Sequence, residues 1–155
     1  MSGFVSIVGA GPGSIDFLTL KAYKTILAAE VILYDALLSD EVKSIFPNQA
    51  KLIFVGKRSH LHAMKQEDIN LKLIESAQNG KRVVRLKGGD PLVFGRGGEE
   101  ALALKNEGIS YEIIPGISAV NACASLAGLP ITLRGVSNRI LILEGQSLSA
   151  HDYQN

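Results

Sequence analysis

The sequence carries little with which to cross-link, anchor or charge itself. A single cysteine, Cys123, stands among 155 residues, so no internal disulfide forms and the chain suits a reducing, cytoplasmic compartment. Flanked by Ala122 and Ala124, Cys123 reads as a small buried apolar residue, and no base lies nearby in sequence to make it a nucleophile. Charge of neither sign is in surplus: 16 basic and 15 acidic residues leave a net charge of +1. That balance excludes the basic stripe of a nucleic-acid-binding domain. Long hydrophobic runs are missing as well. The first, Phe4 to Val8, has no basic segment before it and is far too short to span a bilayer, so a soluble protein without a membrane partner is expected. His60 and His62 have no cysteine or third histidine beside them. They read as solvated or substrate-facing side chains, and no metal is expected.

What the chain does have is glycine, concentrated in one place. Arg82 to Leu86 is an apolar run that leads into a loop with glycines at 88, 89, 95, 97 and 98, and a helical pattern follows. Glycine loses more conformational entropy on folding than any other residue, so such a density implies unusual backbone angles or close approach of a ligand. Interleaved Pro91, Val93 and Phe94 argue against a mobile surface loop. At the carboxyl end of a parallel strand, where ligands bind in open α/β sheets, the loop reads as a site, with Asp90, Arg96, Glu99 and Glu100 as groups able to bind or do chemistry.

The remaining chain alternates strand and helix signals. Phe4 to Val8 stops at a glycine turn, Gly9 to Gly13, before a helical pattern with Leu20, Tyr23, Lys24 and Leu27, for which Ser14 or Asp16 is a plausible cap. Val31 to Tyr34 is a second strand delivering Asp35; Ser39 to Phe46 a short helix closed by Pro47; Leu52 to Val55 a third strand ending near Lys57. Gln66 to Asn79 is helical with Ile69, Leu73, Ile74 and Ala77 on one face and Gly80 as its stop. After the central loop come a helix from Gly98 to Asn106 with Ala101, Leu102 and Leu104 facing inward, a fifth strand at Tyr111 to Ile114, and a small-residue helix from Ser118 to Ala127. The pattern predicts an open, mainly parallel five-stranded α/β sheet with helices on both faces. Beyond Pro130 the character changes: Ile131 to Asn138 is linker-like, Arg139 to Leu143 reads as a sixth strand, and a polar segment follows. The expected organisation is one α/β domain over 1–130 and, over 131–155, a linker and the first strand of a second.

The opening glycine turn invites comparison with a dinucleotide fingerprint. Counted from Gly9, the third glycine position holds Ser14; counted from Gly11, it holds Asp16. Pro12 also removes an amide that a pyrophosphate would use. Binding of a nicotinamide cofactor is therefore a minor alternative.

Taken together, Val8 to Gly13, Leu33-Tyr34-Asp35, Val55 to Arg58, Arg85 to Glu100, Pro115 to Ala119 and Gly128 to Thr132 resemble, in order along nearly the whole chain, the N-terminal part of the uroporphyrinogen-III C-methyltransferases. These belong to the tetrapyrrole methylase group, the class III S-adenosylmethionine-dependent methyltransferases. The resemblance implies methyl transfer from S-adenosyl-L-methionine to ring carbons C2 and C7 of uroporphyrinogen III, leaving S-adenosyl-L-homocysteine and giving precorrin-2 on the way to sirohaem or cobalamin. It implies cofactor contacts at Pro12, Gly88, Gly89, Asp90, Val93, Ser118 and Ala119, acid/base roles for Asp35 and Lys57, and substrate binding or proton handling by Arg96, Glu99 and Arg134. It further implies a homodimer of two-domain subunits, with the active site between the domains.

The residues are chemically suited to those roles. Displacement at a sulfonium methyl asks mostly for positioning, which glycine backbone at 88 and 89 allows. A substrate rimmed with carboxylates favours forked guanidiniums, for which Arg58, Arg96 and Arg134 are candidates, and a carbon methylation ends with loss of a proton, for which Asp35 is a placed base. As a structural alternative, Asp35 caps the following turn. The chain departs from the family pattern at Leu133 and Gln146, where histidines are usual, and at Ala36, where an arginine is common. The family's second domain is expected to be present only in its beginning. A non-catalytic tetrapyrrole- or nucleotide-binding module is the competing reading.

Overall fold

A computed structural model describes residues 3–56 and 64–144. The chain forms two compact units that divide between Ala119 and Val120. The first unit is built on five parallel strands: β1 (Phe4–Gly9), β2 (Val31–Tyr34), β3 (Lys51–Phe54), β4 (Arg82–Lys87) and β5 (Tyr111–Ile114), in the spatial order β3-β2-β4-β1-β5. The expected α/β architecture is thus present. β1 and β4 are central neighbours whose outgoing connections run to opposite edges, toward β2 and β5. Such a crevice is where open α/β sheets bind ligands.

Alternation along each strand sends one set of side chains to each face. On one face Val8, Ile32, Val84, Leu86 and Ile114 pack with Ala22 and Ile26 of α1 (Leu20–Leu27) and Val42 of α2 (Asp40–Lys43). On the other, Val5, Ile7, Leu33 and Val83 pack with Ile69, Leu73 and Ala77 of α3 (Gln66–Gln78) and Ala101 and Leu104 of α4 (Gly97–Asn106). Helices therefore cover both faces, as the strand-helix alternation predicts.

Capping decides where the helices begin. Thr19 accepts from the Ala22 amide at 3.1 Å and Ser39 from the Val42 amide at 3.1 Å, the N-cap geometry these residue types favour. Thr19, rather than Ser14 or Asp16, caps α1; Ser14 caps a single 3-10 turn over Ile15–Phe17. Gly80 leaves α3 with φ +76°, the stop expected of it.

Three readings are corrected. Leu102 is exposed, because the inward stripe of α4 runs through Gly97, Glu100, Ala101 and Leu104, and a residue next to Ala101 is turned about 100° away. Cys123, on α5 (Ala119–Leu126), is likewise exposed, the buried position of that helix being Ala122. Arg139 to Leu143 form no strand, since an apolar run becomes one only through ladder partners, and none pairs with it among the described residues. The second unit contains instead a turn in which the amide of Leu133 donates to the carbonyl of Ser137 at 3.0 Å.

Candidate active site

At the carboxyl edge of the sheet, three loops lock together through their backbones. After β1, the Gly11 amide donates to the Gly89 carbonyl at 3.2 Å and the Gly89 amide returns to the Gly11 carbonyl at 2.8 Å. This antiparallel bridge joins the first loop to the central one, and Gly89 reaches it at φ +63°, where a Cβ is penalised. Asp90 then ties the central loop to the fifth. Its Oδ2 accepts from the Gly116 amide at 3.1 Å while Oδ1 accepts from the Leu92 amide at 2.8 Å. Packing is close enough to demand glycine: a Cβ on Gly116 would lie 2.1 Å from the Gly89 carbonyl oxygen.

This interlock brings Pro12, Gly88, Gly89 and Asp90 together, with Ser118 and Ala119 just beyond Gly116 as the chain enters α5. Val93 sits farther along the central loop, 37% exposed, between exposed Leu92 and Phe94. Phe94 (φ +51°) and Arg96 (φ +57°) both take left-handed backbone. For non-glycine residues that conformation costs about 1–3 kcal/mol each and clusters at functional sites.

Arg96 caps α4 with its backbone, and its side chain folds back on Glu99: Nε donates to Oε1 at 2.8 Å and an Nη to Oε2 at 2.7 Å. The hydrogen-bonded guanidinium holds the Glu99 carboxyl below its ordinary range, and the carboxylate in turn raises Arg96. Two residues expected to meet substrate are thus paired with each other at an exposed forked contact.

Beneath the loops is a charged cluster in which Glu100 and Asp35, both singled out in the sequence, meet Arg85 and Lys87, which the sequence reading did not single out. Arg85 and Lys87 share the α3/α4 face of β4, and both are buried. Glu100, fully buried, accepts on Oε1 from Arg85 Nε at 2.9 Å and Lys87 Nζ at 3.1 Å, with Gln66 Nε2 at 3.3 Å. Burial lowers the Lys87 ammonium, reinforced by the nearby Arg85 charge and opposed by Glu100. Asp35, at the end of β2, lies 3.5 Å from an Nη of Arg85 and accepts on Oδ1 from the Leu37 amide at 3.3 Å. The turn-capping geometry expected as the alternative for Asp35 is therefore present, alongside its contact with Arg85. A signal for Arg85 and Lys87 did exist: alternation puts 83, 85 and 87 on one face of a strand that a parallel sheet buries on both sides.

Lys57, Arg58, His60 and His62 lie outside the described residues. Arg134 is exposed in the second unit.

Residues 5–154 match the Tetrapyrrole (Corrin/Porphyrin) Methylases. The chain belongs to this family. A uroporphyrinogen-III C-methyltransferase from Bacillus subtilis (strain 168) is 51% identical over 152 residues, covering 98% of this chain and 59% of its own length. The crystal structure of uroporphyrin-III-C-methyltransferase from Thermus thermophilus aligns with a TM-score of 0.77 at 45% identity, over 87% of this chain and 57% of that one. A structure of the Thermus enzyme complexed with S-adenyl homocysteine aligns at 0.73 and 42% identity, over 88% and 53%. This tetrapyrrole methylase chain spans about three fifths of the length of these uroporphyrinogen-III C-methyltransferase relatives.

Proposed function

We propose that this tetrapyrrole methylase chain carries the cofactor wall and the proton-accepting group of an S-adenosyl-L-methionine-dependent uroporphyrinogen-III C-methyltransferase, methylating ring carbons C2 and C7 to give precorrin-2. The interlock of Gly11, Gly89, Asp90 and Gly116 carries this reading. It supplies a preorganised cradle of backbone groups at a sheet crevice, the arrangement suited to a reaction that depends on orientation. The likeness to an enzyme complexed with S-adenyl homocysteine supports the choice of cofactor.

In this reading Pro12, Gly88, Gly89, Asp90, Val93, Ser118 and Ala119 hold the cofactor. The ring carbon attacks the sulfonium methyl, the carbon–sulfur bond breaks toward neutral S-adenosyl-L-homocysteine, and the methylated ring then loses a proton. Asp35 receives it, and Lys57 assists in acid/base handling. Arg96, Glu99 and Arg134 engage the substrate's carboxylates, which compete with Glu99 for the Arg96 fork. Residues 1–130 are read as the N-terminal domain and 131–155 as a linker and the beginning of a second, whose apolar side chains Ile140 and Leu141 are exposed. A cytoplasmic homodimer completes the reading, and light scattering tests the dimer.

Calorimetric titration of the chain with S-adenosylhomocysteine tests the cradle. Micromolar binding supports it; the absence of binding places the cofactor site elsewhere or makes the wall insufficient alone. Absorbance detection of precorrin-2 then separates catalysis from a binding module that retains the cleft without the chemistry.

A further inference from the structure

We propose that Arg85 is the positioning residue for Asp35: a buried guanidinium that transfers the fixed frame of α4 to the carboxylate at the end of β2. The inference rests on the reading that Asp35 accepts the reaction's proton.

Arg85 is held in three directions at once. Its Nε donates to Glu100 at 2.9 Å, one Nη donates to the Leu86 carbonyl at 3.1 Å and approaches the Leu33 carbonyl at 3.5 Å, and the other Nη faces Asp35 Oδ2 at 3.5 Å. The side chain is 4% exposed, so thermal wandering into solvent does not blur these contacts, whereas Asp35 is 21% exposed and keeps an outer side for a substrate. Glu100 is fully buried, and Lys87 and Gln66 converge with Arg85 on its Oε1. Asp35 is thereby gripped on both oxygens, Oδ1 by the Leu37 amide and Oδ2 by Arg85.

A sheet does not need a guanidinium here. Burying an ion pair is costly, and apolar side chains of similar volume often stabilise as well or better. Val83, two residues earlier on the same face, shows that this face of β4 accepts an aliphatic side chain. What arginine adds is a planar fork that addresses two carboxylates simultaneously, which a lysine ammonium on a flexible stem does not.

The test substitutes Arg85→Lys, which leaves a cation for Glu100 but removes the fork. In chain labelled with 13C at aspartate carboxyls, the Asp35 signal is assigned by its loss in Asp35→Asn. The expected result is that Arg85→Lys moves the Asp35 signal toward those of exposed aspartates such as Asp40, while methyl signals of Leu104 and Ile7 stay in place. An Asp35 signal unmoved by Arg85→Lys overturns the proposal. Should Arg85→Lys not fold, the charge-conserving double variant Arg85→Gln with Glu100→Gln serves for the same measurement with the same two outcomes.

Turnover judges the underlying reading separately. With uroporphyrinogen III and S-adenosylmethionine, kcat of Arg85→Lys is expected to fall on the order of tenfold to a hundredfold, as misplacement of a reacting group does, with KM for S-adenosylmethionine unchanged. Full turnover in Asp35→Asn sinks the role of Asp35 as proton acceptor, while the carboxyl signal still decides whether Arg85 positions it. Loss of turnover in Asp35→Asn with none in Arg85→Lys overturns the positioning role alone.

Discussion

The two faces of one sheet follow different rules. Beneath α1 and α2, the strands bury Val8, Ile32, Val84, Leu86 and Ile114 against aliphatic helix residues, as a parallel sheet covered on both sides is expected to do. Beneath α3 and α4 the strands bury Val5, Ile7, Leu33 and Val83 in the same way, but the carboxyl half of β4 contributes Arg85 and Lys87, and α4 answers with Glu100. The same backbone ladder supports both. Among the described residues, buried charge stands on this face alone, beneath the end where the glycine loops converge, whereas the Lys21–Glu112 pair of the opposite face is partly exposed.

Removing the anion from the charged face is the harshest way to break this contrast. Glu100→Ala leaves Arg85 and Lys87 buried without their common partner, an uncompensated arrangement that costs about 3–5 kcal/mol. Against a typical domain stability of roughly 5–15 kcal/mol, that is a large fraction of the margin, visible as a large drop in urea midpoint. On the apolar face Ile26→Ala, at a fully buried position, should cost about 2–5 kcal/mol by transfer and cavity terms. A Glu100→Ala variant clearly milder than Ile26→Ala would mean that water enters the cluster and that the two faces are less different than their packing indicates.

Protonation sharpens the comparison further. Burial lowers the folded-state Lys87 from its ordinary 10.5, so in the window between its folded value and 10.5 the unfolded chain binds the proton more tightly. The Lys87 contribution to stability therefore rises with pH across that window. Lys87→Met should abolish this rise, seen as a smaller gain from neutral to alkaline pH than in the unsubstituted chain, while variants of the opposite face should follow the unsubstituted chain. A Lys87→Met profile parallel to the unsubstituted one would show that Lys87 is not desolvated.

How far these regions were legible differs for a physical reason. Glycine punctuation, β-branched runs and helix stops are local, so the five strands, the parallel α/β class and the location of the central loop follow from short stretches of sequence. The strand order β3-β2-β4-β1-β5 is a matter of long-range packing and left no local trace. Asp90 illustrates the limit within the site. Its loop suggested a group facing a ligand, yet both of its oxygens are bound to backbone amides, one of them 26 residues away at Gly116. Arg85 and Lys87 were overlooked because the run around them is apolar, although their alternation with Val83 was visible. Glu100 sits four residues before Leu104, on the stripe that faces the sheet. The second unit was least legible: Arg139 to Leu143 has the composition of a strand, and composition does not supply a partner.

Asp90→Ala probes the seam between loops and not the face below. Losing hydrogen bonds to Leu92 and Gly116 should cost about 1–2 kcal/mol and weaken S-adenosylhomocysteine binding several-fold in calorimetry, since the cradle loses its tie. Unchanged affinity with lowered stability would assign Asp90 to loop architecture alone.

The smallest structural effect is expected at Arg96, where the contrast between buried and exposed charge is sharpest. Its forked contact with Glu99 has the same chemistry as the pair of Arg85 with Glu100, but both side chains are more than half exposed. Exposed pairs contribute little to stability because solvent screens them and both side chains lose freedom. Arg96→Leu should therefore shift the melting temperature by less than about 2 °C and leave S-adenosylhomocysteine affinity intact, while impairing use of uroporphyrinogen III by removing a fork for its carboxylates. Because Arg96 holds the Glu99 carboxyl below its ordinary range, whatever the pair contributes to stability is present above pH 4.5 and is lost as pH falls through the folded-state value. Joint loss of cofactor and substrate binding in Arg96→Leu would show instead that the left-handed turn at Arg96 depends on its side chain, and that this charge is part of the scaffold after all.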